Sequence, residues 1–178
     1  IPDETSTRFN DVIADPAGRV FCGTMFRDSK KALAGVRPGK LYRLDTDTSI
    51  STVLEGTRIP NGMGFTADRK RMYYTESGDQ KIYLYDYDQL SGSISDRRVF
   101  VQTAPDGGVP DGMTVDAEGY VWSARAGGSE LRRYSPEGVE ERSIRFPAKM
   151  VSSVTFGGPD LTDIYVTTIG GDKRTEAG

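Results

Sequence analysis

The 178-residue chain contains no histidine and a single cysteine, Cys22. The first absence excludes Ser-His-Asp and Cys-His chemistry, His-ligated zinc and histidine-held haem. The second excludes an intramolecular disulfide and Cys-rich zinc sites. Within Val20-Phe21-Cys22-Gly23, the thiol reads as a small apolar core residue. Any hydrolysis must therefore use carboxylates, amides, a lysine or a metal. No apolar run approaches the ~18 residues of a membrane-spanning helix. The opening Ile1-Pro2-Asp3-Glu4-Thr5-Ser6 has no basic or apolar region of the signal-peptide kind. With no disulfide either, the expected location is cytoplasmic. The missing initiator Met points to processing or to a fragment. Positive charge is not in excess: Lys plus Arg number 23 against 26 for Asp plus Glu, a net charge of −3. A nucleic-acid partner is not expected, because it would need a basic face or stripe, and the lack of a spanning apolar run gives no membrane partner either. Arg97-Arg98 and Arg132-Arg133 are isolated pairs.

Glycine and aromatics are abundant, with 21 Gly, 9 Tyr and 7 Phe. That composition favours short strands joined by many turns. One pattern returns four times: Asn10-Asp11-Val12-Ile13, Asn61-Gly62-Met63-Gly64, Asp111-Gly112-Met113-Thr114 and Ser152-Ser153-Val154-Thr155. Each opens on a polar residue and runs into alternating apolar positions. A turn follows, rich in Asp or Gly or, in the second repeat, basic, then a second strand: Arg19 to Thr24, Arg71 to Thr75, Tyr120 to Ala124, Asp163 to Thr168. Third strands begin at Lys40, Lys81 and Glu130, and fourth strands at Ile50, Arg98 and Glu141. Period-two runs bounded by Gly, Asp, Ser and Pro are the strand and hairpin signal. No helix is expected, since residues 30–34 are too few and lie close to glycines. Four antiparallel strands recurring at roughly 40–50 residues predict the blades of a β-propeller, an all-β fold. The expected units are 8–57, 58–106, 107–147 and 148–178.

In such blades the innermost strand lines the central channel and begins near one mouth. Asn10, Asn61, Asp111 and Ser152 or Ser153 should then converge on one ring. Converging amide and carboxylate oxygens suit a hard cation. The competing reading is that Asn and Asp are common where strands meet turns. Pro60-Asn61-Gly62-Met63 and Pro110-Asp111-Gly112-Met113 differ only at the oxygen-bearing residue, which favours the cation.

The ordered motifs Thr7-Arg8-Phe9-Asn10-Asp11, Asp15-Pro16-Ala17-Gly18-Arg19, Cys22-Gly23-Thr24-Met25, Asn61-Gly62-Met63, Tyr85-Asp86-Tyr87-Asp88 and Pro110-Asp111-Gly112-Met113 resemble the gluconolactonase and senescence-marker-protein (regucalcin) family. The resemblance covers almost the whole chain. It implies a six-bladed propeller with one divalent cation at the axis, opening sugar-acid lactones. Calcium leads, with zinc, manganese and magnesium as alternatives. It carries the metal ligands onto Asn61 and Asp111, with Asp111 also the general base. It carries substrate contacts onto Arg8 and Asn10, and onto Asp28 less directly. The family's third ligand, a Glu preceding the Arg-Phe-Asn-Asp motif, has no counterpart here. Asp3 and Glu4 fall outside the aligned position. Val12 also stands where a Gly often follows Asn-Asp. Four units against six imply an open ring, which a second chain could complete. Two rivals stay open: a non-catalytic calcium-binding or protein-binding propeller, and a relative acting on other esters or phosphotriesters.

Overall fold

The computed structural model describes residues 5–36 and 38–170. Residues 1–4, with Asp3 and Glu4, and the last stretch of the fourth expected unit lie outside them.

Three four-stranded antiparallel sheets form in chain order. The first comprises β1 (Thr7–Ala14), β2 (Val20–Phe26), β3 (Gly39–Leu44) and β4 (Ile50–Thr57). The second comprises β5 (Pro60–Phe65), β6 (Arg71–Glu76), β7 (Lys81–Tyr87) and β8 (Ile94–Gln102). The third comprises β9 (Val109–Val115), β10 (Val121–Ala126), β11 (Glu130–Tyr134) and β12 (Glu140–Arg145). A fourth sheet pairs β13 (Val151–Gly157) with β14 (Asp163–Thr168). Each sheet is a simple meander, and β1, β5, β9 and β13 pack side by side. These are partial propeller blades, with the first strand of each lining the axis and β12 exposed along its length at the rim.

Strand alternation explains the core. Successive side chains point to opposite faces, so a sheet between two others needs apolar residues on both. In β6, Met72 and Tyr74 face the first sheet while Tyr73 faces the third. In β7, Tyr83 and Tyr85 face one way, Ile82 and Leu84 the other. In β10, Val121 joins the interface with the second sheet and Trp122 the one with the fourth. The Tyr and Phe rings meet edge-on or tilted, as Tyr74–Tyr85 and Phe65–Tyr87 do. Cys22 is half-buried, and burial pushes its thiol up.

The β1–β2 and β9–β10 turns repeat one device. Asp15 Oδ1 accepts from the Ala17 and Arg19 amides, and Asp116 Oδ1 from the Glu118 and Tyr120 amides. Gly18 and Gly119 take φ of 86° and 83°, which glycine alone adopts without strain. The other carboxylate oxygen anchors a buried cation, Arg19 at 2.6 Å in the first blade and Arg133 at 2.6 Å in the third. Burial pushes the Asp116 carboxyl up, but Arg133, Trp122 Nε1 and the Tyr120 amide together hold it below its usual range. Trp122 Nε1 donates to Asp116 Oδ2 at 2.9 Å. Trp122→Phe should therefore cost about 1–2 kcal/mol. Urea unfolding should show a lower midpoint at unchanged slope.

One element departs from expectation. Ser29–Leu33 forms a short helix, α1. Asp28 makes this single turn possible: its Oδ1 accepts from the Lys30 and Lys31 amides at 3.0 and 3.2 Å. A capped first turn needs no length, which the sequence criterion required.

Candidate functional site

The four axial strands share an irregularity that gathers the polar openers. Pairing slips between Phe9 and Val12 in β1, between Pro60 and Met63 in β5, between Pro110 and Met113 in β9 and between Val151 and Ser153 in β13. A bulge at the same point of each strand turns the side chain there out of the ladder. The residues so turned include Asn10, Asn61 and Asp111.

Glycine lets these bulges approach each other. A Cβ on Gly62 would stand 2.5 Å from the Met113 amide nitrogen and 2.7 Å from the Asp111 carbonyl oxygen. A Cβ on Gly112 would meet Ser153 Oγ at 2.4 Å and the Ser152 carbonyl at 2.8 Å. The near-identical Asn-Gly-Met and Asp-Gly-Met runs are thus the contact between neighbouring blades as well as the source of two oxygen donors.

A head-to-tail chain of hydrogen bonds joins three blades here. Arg8 Nη1 donates to Asn10 Oδ1 at 2.9 Å, and Asn10 Nδ2 donates to Asn61 Oδ1 at 2.9 Å. Asn61 Nδ2 donates to Ser77 Oγ at 2.8 Å, and that hydroxyl donates to the Pro110 carbonyl at 2.5 Å. Asn61 is 8% exposed, whereas Arg8 lies open to solvent. Asn10 Nδ2 also reaches the Pro60 carbonyl at 2.9 Å. Pro110 directly precedes Asp111, so the chain ends on the backbone that carries that carboxylate. Arg125, fully buried at the end of β10, steadies the same approach. Its Nη2 donates to the Gly108 carbonyl at 2.7 Å and its Nε to the Gly107 carbonyl at 3.2 Å.

Asp111 carries the most altered acidity. Burial first, then the nearby charge of Asp11, pushes its carboxyl up to about 7. Burial also raises Asp11, against a hydrogen bond from the Val12 amide. Two carboxyls sharing a partly buried region resist joint ionisation. Asp11 occupies the position that Gly62 and Gly112 hold in the next two repeats. It lines a cavity of about 380 Å³ along the axis, with Ile13, Phe65, Val115, Ser153 and Thr155 among its neighbours.

The structure thus brings Arg8, Asn10 and Asn61 into direct contact and reaches Asp111 through its backbone. Asp28 stands outside this chain and caps α1. Asp11 was not singled out from sequence, although a carboxylate in a repeat position otherwise held by glycine was the available signal. Ser77, in the short turn η1 (Ser77–Asp79), gave no sequence signal.

Among the described residues no three Asp, Glu, His or Cys side chains cluster as a metal site. The donors present do fit a hard divalent cation in kind. Asn61 and Asp111 offer oxygen only, and Asp11 and Asp111, both raised by burial and Asp111 further by the charge of Asp11, are a local excess of acidic charge that a cation would relieve.

Partial blades around an axis, with amide and carboxylate oxygens at one mouth, define a propeller of the oxygen-donor kind. The chain belongs to the family described as SMP-30/Gluconolactonase/LRE-like region, whose family model matches residues 1–170. It is 52% identical over 175 residues to a pentonolactonase of Haloferax volcanii, across 98% of this chain and 58% of that protein. It is 36% identical over 167 residues to a regucalcin of Xenopus laevis, across 93% of this chain and 56% of the relative. A luciferin-regenerating enzyme superposes with a TM-score of 0.89 at 36% identity, over 94% of this chain and 55% of that structure. A calcium-binding regucalcin of Agrobacterium tumefaciens superposes with a TM-score of 0.84 at 26% identity, over 93% and 54%. The chain therefore spans little more than half the length of these relatives.

Proposed function

We propose that this chain carries the catalytic mouth of a cation-dependent lactonase that opens sugar-acid lactones. The observation that carries the proposal is the Arg8–Asn10–Asn61 chain ending beside Asp111, a carboxyl held at about 7. The likeness to a pentonolactonase supports the substrate class.

Asn61 and Asp111 would hold the cation, with Asp11 next to them. Calcium suits their neutral and anionic oxygens. The cation would supply positive charge that draws electrons from a lactone carbonyl. Asp111 takes a proton from the attacking water, whose oxygen bonds to the carbonyl carbon. The ring carbon–oxygen bond breaks, and the proton passes to the departing alkoxide, giving the open hydroxy acid. The cation would favour ionised Asp111, the form that can accept the proton. Arg8 and Asn10 hold substrate oxygens, Arg8 through the guanidinium donors that face solvent. Asp28, at the start of α1 on the β2–β3 loop, would contact substrate from above the mouth. A partner chain that completes the ring would pair along β14, where Ile164 and Tyr165 are exposed.

The test is lactone hydrolysis by the 178-residue chain, followed by pH-stat on gluconolactone and a pentonolactone. The chain is first chelated and then given calcium, zinc or manganese. Cation-dependent ring opening supports the proposal; a folded chain with no activity under any cation overturns it for this chain. Arg8→Ala should lower kcat/KM about tenfold to a hundredfold, mostly through KM, because it removes charge-assisted hydrogen bonds to substrate. A second reading, a non-catalytic cation-binding propeller, is favoured by the absence of a third clustered acidic ligand among the described residues. It predicts calcium binding without turnover.

A further inference from the structure

We infer that Ser77 is the positioning residue that decides which end of the Asn61 amide faces the channel mouth. The inference rests on the reading of Asn61 as an oxygen donor to a cation. The two ends of a carboxamide are nearly the same size, so its orientation is set by its partners. The Ser77 hydroxyl, 1% exposed, has one proton and two such partners. One is the Pro110 carbonyl at 2.5 Å, which can only accept. The proton therefore goes there, and the hydroxyl must accept from its other neighbour. That neighbour is Asn61 Nδ2 at 2.8 Å, which leaves Oδ1 on the opposite side.

The far end of the chain enforces the same direction. Arg8 can only donate, so it fixes Asn10 Oδ1 as acceptor and Asn10 Nδ2 as donor to Asn61 Oδ1. A flipped Asn61 would set its oxygen against the Ser77 oxygen and its nitrogen against the Asn10 nitrogen. Bonds aligned head to tail also polarise one another, which makes the shared acceptor more negative. Asn61 Oδ1 keeps a second lone pair for a ligand.

Ser77 is itself held. Its amide donates to the Ile59 carbonyl at 3.1 Å. Beside it, the buried Glu76 carboxylate accepts from the Ile59, Arg58 and Gly78 amides at 2.6, 3.1 and 3.2 Å. The turn after β6 therefore grips the start of β5 through Glu76. Through Ser77 it grips the Asn61 side chain and the residue before Asp111. One hydroxyl sets the relation between donors on two adjacent blades.

The experiment uses the full chain with ¹⁵N labelling. The Asn61 side-chain NH₂ pair is followed by hydrogen exchange after chelation, and calcium alone is then titrated by calorimetry. In the parent chain the Asn61 pair should be protected. Ser77→Ala should speed its exchange at least about tenfold and weaken calcium binding about tenfold or more, the usual effect of losing a group that orients a ligand. A purely structural serine would leave the Asn61 signals unchanged in a folded variant, and that result overturns the inference. If Ser77→Ala does not fold, the parent decides: an Asn61 pair exchanging as freely as an exposed amide overturns the inference, and a protected pair upholds it. If the parent binds no calcium yet Ser77→Ala still frees the Asn61 pair, the positioning role stands and the cation reading falls.

Discussion

Asp111→Ala should lower cation-dependent lactone hydrolysis by at least about a thousandfold in kcat/KM, because it removes both a cation ligand and the proton acceptor. The loss should appear in kcat, since Arg8 and Asn10 still hold the substrate. The same position should behave in the opposite sense for stability. In the chelated, folded chain Asp111 keeps its proton up to about 7, against an ordinary 3.8. Between those pH values the folded state binds more protons than the unfolded one. Stability therefore falls as pH rises through this window, and the loss is complete above about pH 7. Asn carries no charge, so Asp111→Asn should be more stable than the parent above pH 7, by roughly 3 kcal/mol after allowance for solvent screening. The difference should close near pH 4. Urea unfolding in chelator across this range checks the sign. Calcium should reverse the order by stabilising the parent alone, because a cation favours the ionised carboxylate. Equal stability of the two chains at every pH would mean that Asp111 is not strained by burial and by Asp11.

Gly62→Ala should destabilise the chain by about 3 kcal/mol or more and disturb Asp111 as well. The added methyl would meet the Met113 amide nitrogen at 2.5 Å, the Asp111 carbonyl at 2.7 Å and Gly112 carbon at 2.8 Å. All three are backbone atoms of the neighbouring blade, so no side-chain rotation relieves the clash. Overpacking of this kind forces backbone shifts. The second and third blades would have to separate at the mouth, where Ser77 holds the Pro110 carbonyl. Calorimetric melting and calcium titration should therefore change together. Gly56→Ala is the contrasting control. Gly56 takes positive φ, at 77°, and nothing lies within 4 Å of its missing Cβ. Its cost should come from the strained φ alone, with calcium binding unchanged.

Much of this was legible in the residue order. The absence of histidine and the single cysteine confined any hydrolytic chemistry to carboxylates, amides, a lysine or a metal. The fourfold return of a polar opener before an alternating strand specified blades and an axis, because innermost strands of a propeller must run side by side. The paired Asn61-Gly62-Met63 and Asp111-Gly112-Met113 runs marked equivalent positions on two axial strands, which the structure sets in contact. Period-two runs such as Ile82-Tyr83-Leu84-Tyr85, apolar on both faces, marked sheets covered on both sides.

The tertiary structure decided what depends on contacts between blades. The bulges at Asn10, Asn61 and Asp111 show only in the pairing of each axial strand with its neighbour. The acidity of Asp111 depends first on its burial and then on a carboxylate about a hundred residues away in sequence, Asp11, whose charge acts through space at low local dielectric. Ser77 bonds residues 16 and 33 positions distant, on two different sheets. The helix at Ser29–Leu33 depends on how Asp28 is turned towards the amides that follow it. Sequence periodicity records which face of a strand is buried. It carries no record of which polar atoms meet across the seams between blades, and that is where this site is built.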